Sequence, residues 1–425
     1  MPGDCGEERQ LGASKYAEVA SAKTACTTQI LRTWQFARAT LFTISHLPST
    51  ISPVIRPTVA RVDLDAIRSN LRAIQSFLST GSVAQPRVIA VVKANAYGHG
   101  APEVARALEQ VGAAMLACAD IEEAIVLRQA GVRAPILVFG ALSVSDLEGI
   151  FAHGLTPTIS TPSAARALQA AAARHGVRLR CHLKIDTGMN RLGFRHDNLA
   201  RTLPEVAASP NLEIEAVYTH FATADNPEHP AFGEQRERFE AALQKMPSLG
   251  IEVSQKHAAN SAALLRDERT WYDFVRPGLL LYGVVPPPLA ATLPLRPALS
   301  LHSRIVAVKG IRAGEASGYG LKTAFDRPAS IAIVPAGYAD GLDLRLAGRG
   351  YMLVRGRRAP IVGSVCMDMT MIDVTGMEVA TGDEVVIIGD QGDESIGVRE
   401  MAAAIGTIPY ELLCRVGSRI QRVYS

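Results

Sequence analysis

The chain has 425 residues, of which 48% are hydrophobic and 20% charged, so it can bury a large core over two domains and is not globally disordered. Its net charge of +3 comes without a long basic block or regularly interleaved aromatic residues, which gives no case for nucleic-acid binding. The six cysteines include no Cys-x-x-Cys pair and no apolar run reaches the roughly 18–20 residues that span a bilayer, so we expect a cytoplasmic protein with reduced thiols, no metal site and no membrane segment.

Residues 1–56 differ in composition from the rest of the chain. They are rich in Ala, Ser and Thr, and past Glu8 their only acidic residue is Glu18, as in many targeting peptides. Asp4, Glu7 and the absence of a strongly apolar segment before a cleavage site count against that interpretation. We expect a disordered N-terminal extension, or a start codon assigned too far upstream.

From residue 57 to about 290, strand-like segments alternate with helix-like ones. Residues 58–63 alternate as a strand, and Asp63 or Asp65 then caps a helix that runs to about Leu78. About eight such units in roughly 230 residues favour a (β/α)8 barrel over a doubly wound sheet, and no Gly-x-Gly-x-x-Gly follows the first strand. A further helix is predicted around Val144–Ile150.

Residues 291–425 have a different pattern. Short strand-like segments, most of them separated by glycine-containing turns, predict a second and mostly β domain. The predicted strands cover residues 300–308, 330–335, 350–354, 359–363, 369–374 and 384–388. Two short helices are expected after them, near residues 398–405 and 410–416.

Lys93 follows directly on a buried strand, Val88–Val92. A lysine at the edge of such a strand loses hydration, which favours its neutral, nucleophilic amine. Neutral lysine amines form Schiff bases with carbonyls, including the aldehyde of pyridoxal phosphate. A lysine that extends from a strand end into solvent is the alternative, and the local sequence leaves both open.

Polar residues recur at the ends of successive predicted strands. A single histidine at such a position is more often a hydrogen-bonded core residue than a catalyst. Five polar clusters in order are harder to explain in that way, because chemistry in such a barrel occurs at the C-terminal ends of its strands. The clusters are Lys93 with Tyr97, Lys184–Arg191, His220, His257–Ser261 and Arg276–Leu279.

These segments resemble the alanine racemase family, a group of fold-type III pyridoxal-phosphate enzymes. The resemblance runs in order from about residue 57 to residue 424 and leaves only the N-terminal extension without a counterpart. The segments that carry it are Ala90–Gly100, Leu183–Gly193, Tyr218–Asp225, His257–Ala262, Val275–Gly278, Tyr282–Gly283, Gly318–Gly320, Gly337–Gly341, Gly363–Asp368 and Pro409–Arg415.

The resemblance implies an enzyme that interconverts L-alanine and D-alanine and supplies D-alanine for peptidoglycan. It implies pyridoxal 5'-phosphate as the cofactor and two proton-transfer groups, Lys93 on the D-alanine face and Tyr319 on the L-alanine face. His220 matches a residue that supports this tyrosine and touches Arg276. The arginine matches the partner of the pyridine nitrogen, and a guanidinium cannot accept a proton from the ring.

The remaining positions are matched residue by residue. Cofactor binding is implied for Tyr97, Asn260, Ser261, Gly278, Leu279 and Tyr410, where Leu279 replaces a commoner isoleucine. Substrate binding is implied for Arg191 and Met367. Lys184 matches a lysine that is carbamylated in many members, and an unmodified amine there would place like charges together. Asp225, Tyr338 and Asp368 match entrance or supporting positions.

The resemblance also implies a head-to-tail homodimer whose active sites are shared. Tyr319, Tyr338, Met367 and Asp368 would be contributed by the second subunit. A serine or broad-specificity racemase is the alternative, because an apolar pocket excludes one hydroxyl only weakly. A decarboxylase is disfavoured by the context of Arg191 and Tyr319. A non-catalytic pyridoxal-phosphate-binding protein is disfavoured because it needs neither a β domain nor the sequence Gly318–Gly320.

Overall fold

The computed structural model describes residues 56–81, 85–140, 142, 146–291 and 293–425. The N-terminal extension predicted for residues 1–56 lies outside these ranges except for Arg56. Arg56 pairs with the carboxylate of Asp340 and donates to the carbonyl oxygen of Pro335 at 3.0 Å. The first described residue therefore contacts the segment 335–340 of the C-terminal part.

Eight parallel strands close into a barrel, which confirms the predicted fold class. The last strand, Phe274–Arg276, pairs with both Gln255–Asn260 and the first strand, Arg87–Val91, so the ring has no free edge. The other barrel strands are Met115–Cys118, Ile136–Val138, Thr156–Ile159, Leu179–Asp186 and Leu212–Tyr218, and the short strand Phe194–Arg195 pairs with Leu179–Asp186 outside the ring.

Helices precede and follow the barrel strands along the chain. Leu64–Leu78 begins as predicted, because the Asp63 carboxylate accepts the N–H of Ala66 at 2.8 Å. The helix predicted around Val144–Ile150 spans Glu148–Ala152, while Val144 lies outside the described residues. In the described ranges, no helix has the length and apolar character that crossing a bilayer requires. The other helices are Ala101–Gln110, Ile121–Gln129, Pro162–Arg174, Leu199–Thr202, Pro204–Ala207, Ala231–Lys245 and Ser261–Arg266.

The strand Val59–Val62 corrects one expectation, because it belongs to the C-terminal sheet and not to the barrel. It pairs antiparallel with Leu299–Arg304 and parallel with Gln421–Tyr424. Its alternation buries Ala60 and Val62 and exposes Arg61 between them. That pattern is typical of a sheet with one face exposed to solvent, whereas strands inside a barrel are buried on both faces.

The C-terminal part is mostly β, as predicted. Ten strands form one sheet, and the hairpin Ala316–Ser317 with Thr323–Ala324 stands beside it. The predicted strand at residues 300–308 is divided into Leu299–Arg304 and Ala307–Ile311. The remaining strands are Ala329–Val334, Tyr351–Val354, Arg357–Val362, Thr370–Asp373, Glu384–Gln391 and Glu394–Ile396, and the helices are Val398–Ala404 and Pro409–Cys414.

The helix Pro409–Cys414 brings the C-terminal part against the turn that follows Lys93. A Cβ atom on Gly98 would lie 2.1 Å from the carbonyl oxygen of Leu413, so only glycine allows this approach. Arg422 also donates to the carbonyl oxygen of Gly98 at 3.0 and 3.1 Å. The C-terminal part therefore supplies one wall at the mouth of the barrel.

Candidate active site

Lys93 begins a left-handed turn. Ala94, Asn95, Ala96 and Tyr97 all have φ between 52° and 53°, a region that non-glycine residues rarely adopt. Two backbone hydrogen bonds close the turn. The N–H of Ala96 donates to the carbonyl oxygen of Val92 at 2.8 Å, and the N–H of Gly98 donates to the carbonyl oxygen of Ala94 at 3.0 Å. Lys93 and Tyr97 stand at its two ends and line the same cavity.

This cavity, of about 610 Å³, lies at the C-terminal ends of the barrel strands, and we call it the barrel-mouth cavity. It brings together most of the residues singled out in the sequence. They are Lys93, Tyr97, Lys184, Arg191, His220, Asp225, Asn260, Ser261, Arg276, Gly278 and Tyr410. Leu279 is fully buried in the short 3-10 helix that follows Gly278.

One end of the barrel-mouth cavity presents hydroxyl and backbone N–H groups. The Ser261 hydroxyl accepts the N–H of Gly278 at 2.9 Å and lies 3.5 Å from the N–H of Leu280. A Cβ atom on Gly278 would lie 2.4 Å from the Tyr97 hydroxyl, so the backbone must come close here. The Tyr410 ring lies 5.8 Å from that of Tyr97. These neutral donors form a nest for an anion, which would take the place of the Ser261 hydroxyl as acceptor of the two N–H groups.

Arg276 is buried inside the barrel and is fixed by four neighbours. One terminal nitrogen donates to the carbonyl oxygens of Thr219 at 2.7 Å and Ala258 at 2.8 Å, and lies 3.4 Å from Nδ1 of His220. The other donates to Nδ1 of His257 at 2.8 Å. Burial lowers the pKa of Arg276 to about 10, so the guanidinium stays charged at neutral pH.

Four basic side chains converge in the barrel-mouth cavity: Lys93, Lys184, Arg191 and Arg276. Burial, assisted by Arg191, lowers the pKa of Lys93, which favours its neutral amine. Burial beside Arg276 and Arg191 lowers the pKa of Lys184 to about 7. Burial likewise holds the pKa of His220 well below its ordinary value, so this imidazole is neutral. The cavity therefore favours ligands that carry negative charge.

Four predicted site residues lie elsewhere in the chain, on an exposed patch of the C-terminal part. Tyr319, Tyr338, Met367 and Asp368 line a shallow depression there, and Tyr319 is 78% exposed. Asp368 pairs with Arg419 at 2.7 Å. We call this surface, together with Leu344 and Met369, the β patch. A single chain therefore brings only one of the two predicted bases, Lys93, into the barrel-mouth cavity.

Two residues of the site, Tyr218 and Glu123, have no role among the predictions from the sequence. The Tyr218 ring lies 4.9 Å from the Lys184 amine and is stacked on His257 at 4.5 Å. Glu123 accepts the N–H of Ala94, the residue after Lys93. Tyr218 ends a barrel strand, which was a usable signal, whereas Glu123 looks like an ordinary charge near the start of a helix.

The residues present fit the cofactor that the resemblance implies. A buried lysine with a lowered pKa can bond to an aldehyde, and the donors around Gly278 suit a phosphate. Arg276 offers a fixed donor within the same cavity. Among the residues that the structure describes, no group of His, Cys, Asp and Glu could hold a metal ion.

Comparison with known proteins gives matches over nearly all of the described chain. The family models for the alanine racemase N-terminal and C-terminal domains match residues 62–286 and 298–424. The alanine racemase of Symbiobacterium thermophilum is 42% identical over 372 residues, covering 87% of this chain and 97% of that protein. The alanine racemase of Carboxydothermus hydrogenoformans is 43% identical over 376 residues, covering 87% and 100%.

Solved structures match over the same part of the chain. The alanine racemase of Streptomyces lavendulae has a TM-score of 0.83 at 35% identity and covers 87% of this chain and 97% of its own. The alanine racemase of Bartonella henselae, solved with covalently bound pyridoxal phosphate, has a TM-score of 0.77 at 28% identity and covers 87% and 99%.

Proposed function

The chain belongs to the alanine racemase family, and we propose that it interconverts L-alanine and D-alanine with pyridoxal 5'-phosphate as its cofactor. The observation that carries this proposal is the convergence of Lys93, Arg276 and the anion nest at Gly278 in one cavity. The N- and C-terminal family matches support a division near residue 290, between a cofactor-binding barrel and a mostly β domain.

Lys93 is the proposed base on the D-alanine face. When bound, the cofactor withdraws electrons from the substrate Cα and so makes its proton removable. The Lys93 amine takes that proton from D-alanine or returns it, and its lowered pKa raises the fraction of neutral base near neutral pH. Tyr97, Ser261, Gly278 and Tyr410 hold the phosphate through hydroxyl and N–H donors.

Arg276 is the proposed partner of the cofactor ring nitrogen. Its guanidinium donates hydrogen bonds and accepts none, so it leaves that nitrogen unprotonated. His220 lies beside it and is neutral, which suits a residue that hydrogen-bonds to a second base. Asn260 caps the helix Ser261–Arg266 by accepting the N–H of Ala263 at 3.0 Å, and so fixes Ser261 at the phosphate.

Arg191 is the proposed partner of the substrate carboxylate, with the backbone of Met367 as the second group. The amine of Lys184 shares the cavity with Arg191 and has a pKa of about 7. A neutral amine can react with carbon dioxide, and the resulting carbamate would place a negative charge beside the arginine. Asp225 lines the same cavity.

Tyr319 is the proposed base on the L-alanine face, and we propose that a second copy of the chain supplies it. It belongs to the β patch, with Tyr338, Met367 and Asp368, and not to the barrel-mouth cavity. The β patch exposes Leu344, Met367 and Met369, and adjacent exposed apolar residues are typical of a subunit interface. A head-to-tail homodimer would place this surface over the barrel mouth of its partner.

The direct experiment is to purify the protein, record its cofactor absorbance and follow alanine in both directions. We expect a visible absorbance band, interconversion of L- and D-alanine, and loss of turnover in Tyr319→Phe with the band retained. Serine and other amino acids should be tested in parallel, since faster turnover of serine would identify a racemase of different specificity. Absorbance without turnover on any amino acid would contradict the proposal. D-alanine formed in this way would supply peptidoglycan synthesis.

A further inference from the structure

Glu123 connects the turn at Lys93 to the neighbouring barrel strand. One carboxylate oxygen accepts the N–H of Ala94 at 2.6 Å, and the other accepts the N–H of Ala119 at 2.8 Å. Ala94 follows Lys93 directly and is the first of four left-handed residues. Ala119 follows the strand Met115–Cys118, which pairs with the strand leading to Lys93. One side chain thus spans two adjacent strand ends.

Only a carboxylate of this length suits the position. The two N–H donors reach two different oxygens, so the side chain must offer two acceptors. A glutamine offers one acceptor and one donor, and an aspartate is shorter by one methylene. Hydrogen bonds from backbone N–H groups to an ionised carboxylate are also stronger than bonds between neutral groups.

Capping of its own helix does not account for the two hydrogen bonds that Glu123 accepts. The helix Ile121–Gln129 is capped by Asp120, whose carboxylate accepts the N–H of Glu123 at 2.9 Å. In a capping box, a glutamate at the third helical position returns to the N–H of the capping residue. Here its oxygens bond to Ala119 and Ala94 instead. The contact with Ala94 adds nothing to the helix and acts on the turn.

We propose that Glu123 is a positioning residue for Lys93, which it holds in place through the N–H of Ala94. Four successive non-glycine residues with positive φ are strained, and such a conformation persists only where neighbours fix it. The N–H of Ala101 donates to Oδ1 of Asn95 at 2.8 Å and fixes the middle of the turn. Glu123 fixes the end that carries the lysine.

The charge of Glu123 has a second effect on Lys93. Burial and Arg191 lower the pKa of the lysine, while Glu123 and Cys414 act in the opposite direction. Removing the carboxylate charge therefore lowers this pKa further, and the free amine stays neutral to lower pH. The charged or titratable groups around the lysine are Glu123, Lys184, Arg191, His220 and Cys414.

The test compares Glu123→Gln with Glu122→Gln, which removes the same charge from an exposed neighbour. This inference rests on the proposed function: its cofactor arm needs the proposed pyridoxal 5'-phosphate, and its kinetic arm needs racemase activity as well. The first measurement is the rate at which the holoenzyme loses cofactor absorbance during dialysis. The second is the pH profile of kcat with D-alanine, because kcat reports the groups of the enzyme–substrate complex. In that complex the substrate amine has replaced Lys93 on the cofactor, so the acid limb reports deprotonation of the free Lys93 amine. Unfolding temperatures of all variants are recorded alongside.

We expect Glu123→Gln to lose cofactor about tenfold faster than Glu122→Gln and to shift the acid limb to lower pH. Glu123→Asp keeps the charge but does not reach both donors, so its cofactor loss should be fast while its acid limb stays nearer the parent position. Equal cofactor loss and equal pH profiles in Glu123→Gln and Glu122→Gln would overturn the proposal, even with a lowered unfolding temperature. If the parent enzyme holds cofactor but racemises no amino acid, the proposed function fails, and the cofactor-loss comparison still decides the role of Glu123.

Discussion

The guanidinium of Arg276 donates to Nδ1 of His257 across 2.8 Å inside the barrel. Because a guanidinium has no acceptor, His257 must present its lone pair at Nδ1 and carry its proton at Nε2. That nitrogen faces Nδ1 of His182 at 2.9 Å. Burial holds the pKa of His257 well below its ordinary value, in keeping with a neutral ring. Arg276 is therefore oriented by a chain of two neutral histidines.

Replacing His257 with phenylalanine should destabilise the enzyme. The substitution leaves one buried N–H of Arg276 without its acceptor, which costs about 1–3 kcal/mol in the free energy of unfolding. Chemical denaturation of the holoenzyme measures this quantity. His229→Gln, at an exposed histidine, is the control and should stay near the parent value. Equal stabilities of the two variants would count against this role of His257.

Gly278→Ala should weaken cofactor binding. The added Cβ would lie 2.4 Å from the Tyr97 hydroxyl and would fill the space between the phosphate donors. We expect an affinity loss of at least about tenfold, measured by titrating the cofactor absorbance. Gly310→Ala is the matched control, because nothing lies within 4 Å of its Cβ position. Undiminished affinity in Gly278→Ala would place the phosphate elsewhere.

Lys184 should make stability depend on pH. Its pKa is lowered from 10.5 to about 7 on folding, so between these values the unfolded chain binds a proton that the folded chain does not. Stability therefore rises with pH through this window, and Lys184→Met removes this contribution. The measured quantity is the free energy of unfolding of Lys184→Met minus that of the parent, in carbonate-free buffer. This difference should be about 2 kcal/mol larger at about pH 7.5 than at about pH 9.5.

The control for this measurement is Lys245→Met, at an exposed lysine. Its change in stability relative to the parent measures the general effect of replacing a lysine by methionine at each pH. A Lys184→Met variant that behaved like Lys245→Met would mean that Lys184 titrates in the folded enzyme as it does in the unfolded chain.

Leu344→Glu should dissociate the proposed dimer. Leu344 is 58% exposed within the β patch, and a charge buried there on association would be unpaired. Sedimentation should give a monomer with little racemase activity. Val126→Glu introduces the same charge at a residue that is 47% exposed on a barrel helix, and it should remain dimeric. A dimeric Leu344→Glu would remove the β patch from the interface.

The sequence predicted the barrel well because alternation of strands and helices is a local signal. The helix Leu64–Leu78 and its Asp63 cap follow from neighbouring residues alone. The strand Val59–Val62 was misplaced because its partners, Leu299–Arg304 and Gln421–Tyr424, lie at the far end of the chain. A strand pattern does not state which sheet the strand joins.

The cavity residues were predictable because strand ends of a barrel meet at one mouth, as Lys93, Lys184 and Arg276 do. The role of Glu123 was not predictable, because its contact with Ala94 depends on a left-handed turn. Nothing in the residue types of Lys93–Tyr97 indicates that turn. The chain of His182 and His257 likewise depends on two side chains meeting across the barrel interior.

We expect each active site to join Lys93 of one chain to Tyr319 of another. Lys93→Ala and Tyr319→Phe should each be inactive alone, because each lacks one base in both sites of its dimer. A mixed dimer would carry one site with both changes and one intact site. Random pairing of the two variants should therefore restore about a quarter of the parent activity.

The measurement is racemase activity after co-expression of the two variants with different affinity tags, followed by purification of the mixed dimer through both tags. The purified mixed dimer should show about half of the parent activity, since one of its two sites is intact. A mixed dimer that binds cofactor at its unaltered Lys93 but has no activity would contradict a shared active site, because each site would then be built within one chain.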